Sequence, residues 1–413
     1  KNYIKERAIY IAIINMKLNN FMKLLLLSPS LILASGCKQS NPYQHIDRSH
    51  LNGMDEPLIH DLQVKDFDAF TTIDLAKMLG VQSFRLRVPS DVINSDGEVN
   101  EQTKNKIDAV IDFIISNNIR PIGQCDVFPS NSGFVKDSPR SVPKEDDPNY
   151  VSYMLKVEEQ WEIIASLFPK VEIWEMGNES NANTFFHPNG YLGNFGETGS
   201  GGFEFLESAH ILTDYMYHST QGIHKGNKKA RSLMPGLTSL NVASMSWISG
   251  YVDEIYLCIE TGDYPKTINK KSKKVDDYFD ILGWHPYVQE VTDRWLEGQQ
   301  AAYQVVIDHK DEGRPVIFTE FGFTDLNDPS LEELQFSYFE KAYNWCLTDL
   351  PWVETICAFR MYNCKAAQSW GGLGETTFGF FKEPENGHGF APKQKAYELQ
   401  ELYKGEGDLN KYY

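Results

Sequence analysis

Short apolar segments alternate with amphipathic segments from about residue 49 to residue 405, and this alternation limits the possible folds more than any other feature. In 150–167, apolar residues recur at helical spacing, and the next segment, 171–176, is short and apolar. The predicted strands are 50–54, 81–88, 119–124, 171–176, 231–237, 279–284, 315–321 and 353–362. The predicted helices are 66–79, a segment with apolar residues at helical spacing in 107–114, 150–167, 203–225, 247–259, 295–310, 331–347 and 392–403.

A helix between each pair of consecutive strands forces the strands to pair in parallel, and eight such units can close on themselves. The predicted fold class is therefore α/β, with a single (β/α)8 TIM barrel. An open doubly wound sheet is the alternative architecture. It is disfavoured because no GxGxxG sequence follows an early strand and the alternation continues to the end of the chain.

Charge and length limit the partners of this chain. Its 413 residues are 41% hydrophobic, enough for a large core, and the formal net charge is -18. Nucleic acid would be repelled by this charge, so we expect no nucleic-acid partner. We expect a neutral ligand and a monomeric protein.

The N-terminal segment predicts export. Residues 21–37 read FMKLLLLSPSLILASGC, a lysine before a short apolar run that ends in small residues. Cys37 resembles the lipidated cysteine of a bacterial lipobox, although Leu33 lies one place further upstream than that pattern requires; a cleaved signal containing a cysteine by chance is the alternative. We expect a periplasmic or cell-surface protein, with membrane contact only through a lipid anchor at Cys37. The predicted organisation is a signal at 1–37, a linker at 38–48, a catalytic domain at 49–405 and a tail at 406–413.

The remaining cysteines are widely spaced and contain no CxxC pair. This spacing favours neither a disulfide framework nor a zinc site, and most of these cysteines are expected to be buried as small apolar residues. The alternative is that two of these cysteines form one disulfide bridge. The five are Cys125, Cys258, Cys346, Cys357 and Cys364.

Polar residues at strand ends identify a candidate site, because the active site of such a barrel lies at the carboxyl ends of its strands. Arg85 lies two residues before the first candidate, Arg87, and could take its place. The candidates are Arg87 after strand two, Asn178 and Glu179 after strand four, His285 and Tyr287 after strand six, and Glu320 after strand seven.

These motifs together resemble clan A of the glycoside hydrolases, in particular its cellulase-like members of the family 5 or family 39 type. The matching segments are LGVQSFRLRVP, EIWEMGNE, WHPY and IFTEFG, in this order. The resemblance extends from the first strand to the last helix. It implies a retaining TIM-barrel hydrolase that acts on a carbohydrate substrate and needs no cofactor or metal.

The resemblance assigns roles to the polar residues. Glu179 would be the acid/base and Glu320 the nucleophile, with the carboxyl groups about 5–5.5 Å apart. Tyr287 and Arg87 would keep Glu320 ionised, and Asn178 would hold the sugar 2-hydroxyl. His285 would bind nearby, or it could be a core histidine.

Aromatic residues near strand ends could stack on sugar rings. Trp284 and Trp370 are the predicted substrate-binding tryptophans. Many clan members carry a tryptophan directly at the end of strand eight, whereas this strand ends FRMYN and Trp370 follows later. The sequence therefore predicts a β-linked oligo- or polysaccharide as the substrate but does not identify the sugar or its linkage.

Two other functions fit parts of the sequence. A non-catalytic, surface glycan-binding lipoprotein on the same barrel is the alternative; such a protein is free to lose one glutamate, and this chain has both. A metal-dependent hydrolase is disfavoured because the strand ends lack clustered histidine and aspartate ligands.

Overall fold

The computed structural model describes most of the chain, and residues 42–413 form one compact unit. No helix in the described part of the chain is long and apolar enough to cross a membrane. The described residues are 41–56, 69–94, 97–136, 138–182, 184–189, 203–239, 245–262, 272–368, 374–383 and 390–413.

Eight parallel strands, the fifth in two pieces, form a barrel. Each strand pairs with its sequence neighbours, and β1 pairs with β8. The strands are β1 (Asn52–Asp55), β2 (Ser83–Arg87), β3 (Arg120–Gln124), β4 (Ile173–Glu175), β5 (Arg231–Leu233, continued at Leu237–Thr238), β6 (Leu282–His285), β7 (Val316–Phe321) and β8 (Val353–Phe359).

The fifth strand closes the barrel in two pieces. Its first piece pairs with β4 and its second piece with β6, and Leu233 forms a further parallel bridge with Ile281. Pro235 lies between the pieces and has no N–H to donate to a ladder, which explains why the single predicted strand 231–237 is interrupted. The predicted (β/α)8 fold is confirmed.

Eight helices among the described residues surround the barrel. Local sequence sets several ends: the Asn100 side chain accepts a hydrogen bond from the Thr103 N–H at the start of α2, and Gly262 ends α5 in the left-handed conformation. The helices are α1 (Ala69–Leu79), α2 (Glu101–Ser116), α3 (Tyr150–Leu167), α4 (Phe203–Gly226), α5 (Ser246–Thr261), α6 (Asp293–Asp308), α7 (Pro329–Thr348) and α8 (Gln394–Tyr403).

The core has two parts, as expected for a barrel. A small inner cluster consists of single side chains from five strands and from Ile281, directly before β6, and a much larger cluster lies between the strands and the helices. The inner cluster is Ile122, Ile173, Leu233, Ile281, Ile317 and Cys357, all fully buried. Because strand side chains alternate, inward positions above this cluster face the carboxyl end of the barrel.

The ends of the compact unit differ from the predicted boundaries. Residues 42–48, predicted as linker, belong to it, and the Arg48 guanidinium donates to the Cys346 carbonyl of α7. The predicted tail packs on the domain, since Leu409 is buried and Lys411 pairs with Asp74 of α1 at 2.8 Å. The predicted signal, 1–37 with Cys37, lies outside the described residues.

Candidate active site

The guanidinium group of Arg85 lies at the centre of the carboxyl end of the barrel and is fully buried. Its Nη1 lies 2.7 Å from Glu320 Oε1 and 3.1 Å from Asp55 Oδ1. Its Nε donates to Glu175 Oε2 at 2.5 Å, and its Nη2 donates to Asn178 Oδ1 at 2.7 Å. One cation therefore connects three carboxylates from β1, β4 and β7.

Two adjacent residues of β7, Thr319 and Glu320, both reach the site. On a regular strand, neighbouring side chains point to opposite faces. Between Phe318 and Phe321, however, the register with β8 shifts, so that two residues of β7 oppose one residue of β8. This bulge allows Glu320 to face the site beside Thr319.

The turn after β4 places Glu179. Gly177 has φ 114°, a conformation that side chains rarely adopt, and Glu179 itself has φ 40°. Such backbone in a non-glycine residue costs on the order of 1–3 kcal/mol and persists where surrounding contacts fix it. Here the Glu179 carboxyl group shares a hydrogen bond with His285, and Asn178 just before it accepts from Arg85.

Glu179 and Glu320 lie next to each other across the site. One carboxylate oxygen from each, together with a ring nitrogen of His285, all lie within 4.8 Å of one another. Both glutamates are largely buried, at 9% and 6% exposure. This spacing is short of the roughly 6.5–9.5 Å between carboxyl groups in inverting glycosidases and is close to the roughly 5–5.5 Å of retaining ones.

A chain of hydrogen bonds fixes the tautomer of His285. The Thr319 hydroxyl donates to Glu175 Oε1 at 3.0 Å, so its oxygen must accept from His285 Nε2 at 2.9 Å. Nε2 therefore carries hydrogen. The other nitrogen, Nδ1, lies 3.0 Å from Glu179 Oε1 and 3.6 Å from Glu320 Oε2. One proton must lie between Nδ1 and Glu179 for this contact to be a hydrogen bond.

The surrounding charges lower the pKa of Glu320 and raise the pKa of His285. Burial alone would raise the pKa of Glu320, but the positive charges of His285, Arg85 and Arg87 and a hydrogen bond from Arg85 hold it well below its usual range. Burial would lower the pKa of His285, but the adjacent charges of Glu320 and Glu179 raise it. Glu320 is thus kept ionised while the proton near Glu179 is retained.

Two further acids face this charge cluster. Burial raises the pKa of Asp55, and the charge of Glu320 adds to that rise. Burial likewise raises the pKa of the half-buried Glu375 to about 7, with further contributions from Glu320 and Glu179. Sequence analysis identified neither residue.

The remaining predicted polar residues lie at the site. The Tyr287 hydroxyl donates to Glu320 Oε2 at 3.2 Å, and burial raises the pKa of this phenol, so it stays a donor. Arg87 Nη2 lies 4.0 Å from Glu320 Oε1, farther than the alternative Arg85. Asn178 accepts from Arg85 through its side-chain oxygen.

The prediction that Trp284 binds substrate is wrong. Trp284 is fully buried, and its ring packs 5.2 Å from that of Trp352, between barrel and helices. The reason is strand alternation: His285 faces the site, so its neighbour on β6 faces outward. Trp370 lies outside the described residues.

Other aromatic rings stand near Tyr287. Phe359, the last residue of β8, and Phe378 are half-buried, with ring centroids 5.2 Å apart. Their centroids lie 6.3 and 6.2 Å from the Tyr287 ring. They form an aromatic surface beside Tyr287 at the end of strand eight.

Sequence reasoning also missed residues that support the site from within the barrel. Glu175 accepts a hydrogen bond from Arg85, and Thr319 accepts one from His285. The alternation of side chains along a strand could have identified Glu175, because it lies two residues after the inward-facing Ile173. No feature of the sequence identified Gly236 as part of the site. A Cβ there would lie 2.1 Å from His285 Nε2, so only glycine leaves room for the imidazole.

The whole fold is similar to solved glycoside hydrolases. A family 39 enzyme from the gut symbiont Bacteroides cellulosilyticus WH2 aligns with TM-score 0.57 and 15% identity, over 87% of this chain and 64% of that one. The exo-β-1,4-mannosidase Op5Man5 from Opitutaceae bacterium strain TAV5 aligns with TM-score 0.55 and 14% identity, over 85% of this chain and 58% of that one. A GH5-4 broad specificity endoglucanase from Clostridium acetobutylicum aligns with TM-score 0.53 and 13% identity, over 82% of this chain and 94% of that one.

These similarities establish the fold. No protein-family profile matches the chain, and no curated protein sequence matches it. The chain spans less than two thirds of the length of the first two proteins, 64% and 58%. The predicted resemblance to clan A glycoside hydrolases is confirmed as a shared (β/α)8 fold.

Proposed function

We propose that this protein is a retaining glycoside hydrolase that cleaves β-linked oligo- or polysaccharides by double displacement. The observation that carries the proposal is the pair of carboxylates, Glu179 and Glu320, within 4.8 Å of each other at the carboxyl end of the barrel. With one oxygen of each carboxyl group this close, the spacing favours a retaining enzyme over an inverting one, whose carboxyl groups stand roughly 6.5–9.5 Å apart. The similar fold of known glycoside hydrolases is consistent with this activity.

In the first step, Glu320 attacks the anomeric carbon while the bond to the leaving oxygen breaks. Arg85, Arg87 and Tyr287 keep Glu320 ionised before the attack and hold its oxygens in place. Glu179 gives its proton to the leaving oxygen, so the leaving group departs as an alcohol. The products are this alcohol and a glycosyl ester on Glu320.

His285 stores the proton that Glu179 uses. Since Nε2 carries hydrogen, either Glu179 is protonated and donates to Nδ1, or the imidazolium donates to Glu179. The proton moves along one hydrogen bond of 3.0 Å between these two states. His285 is therefore a positioning residue that acts through Glu179.

In the second step, a water molecule attacks the anomeric carbon of the ester. The proton shared by Glu179 and His285 has left with the alcohol, and esterification has removed the negative charge of Glu320. Glu179, now ionised, accepts a proton from the water, and the bond from the sugar to Glu320 breaks. The sum is hydrolysis, with one water consumed and both carboxyl groups restored.

The substrate would contact groups around this pair. The Asn178 oxygen accepts from Arg85, which leaves its amide nitrogen to donate to a sugar hydroxyl. Phe359 and Phe378 present apolar faces on which sugar CH groups can stack. A carbohydrate partner also agrees with the net charge of -18, which disfavours polyanions.

Activity is tested by a screen of aryl β-glycosides and β-linked oligosaccharides. We expect turnover by the wild-type protein and background rates for Glu320→Gln. For Glu179→Gln we expect a loss of about 10²–10⁴-fold on oligosaccharides but a smaller loss on aryl glycosides, whose leaving groups need no proton. Glu340→Gln, on the exposed face of α7, is the matched control.

Two outcomes decide against the proposal. Full activity of Glu320→Gln removes this residue from the mechanism. Binding of an oligosaccharide without turnover of any substrate by the wild-type protein favours the alternative, a surface glycan-binding protein.

We also propose that the protein is exported and anchored through Cys37. The support is the sequence of residues 21–37, with its lysine, apolar run and terminal cysteine. In bacterial cells, metabolic labelling with an alkyne fatty acid should mark the wild-type protein and not Cys37→Ser. Equal labelling of both would contradict the anchor.

A further inference from the structure

A second cluster of reactive side chains lies on the outside of the barrel, between α4 and α5. It comprises His210 of α4 and Glu254 and Cys258 of α5. One ligand atom of each lies within 4.8 Å of the other two, and His210 Nε2 is 3.0 Å from Glu254 Oε1. Glu254 and Cys258 are four residues apart, so they share one face of their helix.

Charge balance in this cluster favours a cation. Glu145, in the loop before α3, lies 3.8 Å from His210 Nδ1, so that one imidazole stands between two carboxylates and a thiol. Within the described part of the chain, no lysine or arginine pairs with Glu145 or Glu254, and His210 is their sole basic neighbour.

We propose that His210, Glu254 and Cys258 bind one divalent transition-metal ion, with Zn²⁺ as the best fit. Imidazole nitrogen, carboxylate oxygen and thiolate sulfur are the usual zinc ligands, and the sulfur disfavours Mg²⁺ and Ca²⁺. Around zinc, tetrahedral ligand atoms stand about 3.3–3.7 Å apart, as bonds of about 2.0–2.3 Å require. The three atoms lie within 4.8 Å of one another, which is at most about 1.5 Å beyond that spacing.

The surroundings of the cluster suit a three-ligand site that is completed by water. Cys258 is buried at 2% exposure and is a free thiol, whereas the His210 and Glu254 side chains are about one fifth exposed and give an entry path. Glu145 faces the imidazole nitrogen that Glu254 does not contact. A carboxylate there orients a metal-bound histidine and increases its basicity.

Cys258 distinguishes this cluster from a comparable one. His309 also stands between two carboxylates, with Glu260 and Asp253 each 2.8 Å from a ring nitrogen. No cysteine joins His309 in a metal-binding group among the described residues. His309 therefore provides a matched control for a histidine held by acids alone.

The site is tested with Co²⁺ as a spectroscopic probe on the metal-depleted full-length protein. We expect one equivalent of Co²⁺ to produce a near-ultraviolet sulfur-to-cobalt charge-transfer band, which Zn²⁺ then removes by displacement. Zn²⁺ should also raise the midpoint of thermal unfolding, because it joins α4 to α5. Glu145→Gln should weaken Co²⁺ binding by about tenfold.

Variants assign the band to these residues. Cys258→Ser should lose the band, and His210→Gln should weaken binding by at least about tenfold. His309→Gln and Cys346→Ser, the latter a buried cysteine on α7, should bind like the wild type. Glu320→Gln should also retain the band, which separates this site from the hydrolase site. Stoichiometric Co²⁺ binding without a sulfur band, or an unchanged band in Cys258→Ser, would overturn the proposal.

Discussion

At the scale of single residues, Arg85 determines the electrostatics of the candidate site. Its guanidinium group is fully buried and faces Asp55, Glu175 and Glu320. Removing one partner of a buried ion pair leaves uncompensated charge in a medium of low dielectric constant, which is more destabilising than the pair itself is stabilising. Arg85 is therefore as important for folding as for keeping Glu320 ionised.

We predict that Arg85→Met lowers the free energy of unfolding by about 3–5 kcal/mol at neutral pH. It should also raise the pKa of Glu320, so that activity is lost at a higher pH on the acid side. Chemical denaturation and a pH–rate profile measure the two effects. Arg87→Met is the control; its guanidinium is 4.0 Å from Glu320 and 20% exposed, so both effects should be smaller. Equal effects of the two variants would contradict the central position of Arg85.

The wild-type pH–rate profile should be broad. Its acid limb should lie well below pH 4.5, because Glu320 ionises more readily than a free glutamate. Its alkaline limb should lie above pH 6.5, because the raised pKa of His285 retains the proton shared with Glu179. His285→Gln should move the alkaline limb to lower pH and leave the acid limb below that of a free glutamate. An unchanged alkaline limb would show that His285 does not hold this proton.

At the scale of elements, irregularities in two strands bring the site together. The β7–β8 register shifts near Glu320 and again between Val316 and Ile317, where Glu354 is the extra residue of β8. Regular alternation would place Thr319 or Glu320 in the site, but not both. The interruption of β5 after Leu233 leaves Gly236 beside His285.

These irregularities mark the limit of what the sequence could predict. Hydrophobic periodicity was enough to predict the order of strands and helices, and strand-end motifs identified Glu179, Glu320 and Tyr287. Periodicity cannot show a bulge, because the extra residue depends on pairing with a distant strand. The prediction for Trp284 failed for a related reason, since pairing with the neighbouring strands decides which side chains of β6 face the site.

We predict that Gly236→Ala displaces His285 and Thr319 and lowers both activity and stability. A Cβ at this position would lie 2.1 Å from His285 Nε2 and 2.5 Å from Thr319 Oγ1, and overpacking of this kind typically destabilises by about 1–3 kcal/mol. Gly250→Ala is the matched control. Gly250 lies in α5, where an added Cβ would meet no neighbouring atom within 4 Å, so alanine should stabilise by about 0.5–1 kcal/mol. Wild-type activity in Gly236→Ala would contradict the tight packing around His285.

At the scale of the whole molecule, barrel closure brings together residues that are distant in sequence. At the amino end of the strands, the buried carboxylate of Glu354 accepts from Arg120 Nη1 at 2.7 Å and from both Nη atoms of Arg231 at 2.8 and 2.7 Å. This contact connects β3, β5 and β8 across the barrel. At the opposite end, Arg85 connects β1, β4 and β7 in the same way.

We predict that Glu354→Gln lowers the free energy of unfolding by about 3 kcal/mol at pH 7, at the low end for a buried pair because Arg231 is 37% exposed. Burial raises the pKa of Glu354, but hydrogen bonds and charge from Arg231 and Arg120 outweigh it and lower the pKa below 4.5. The ionised group therefore stabilises the fold above about pH 4.5, and this contribution is lost as the pH falls through the folded-state pKa. Denaturation at several pH values should show the difference from wild type shrinking in acid. A constant difference would contradict the ionic origin.

The central claim is that Glu179 and Glu320 act as a pair on one sugar. It is tested most directly by ¹H NMR of the first product released from the β-glycoside that the substrate screen identifies. We expect this product to appear first as the β-anomer and to reach the α/β equilibrium only by later mutarotation. Initial release of the α-anomer, or no hydrolysis of any β-glycoside by the wild-type protein, would contradict the claim.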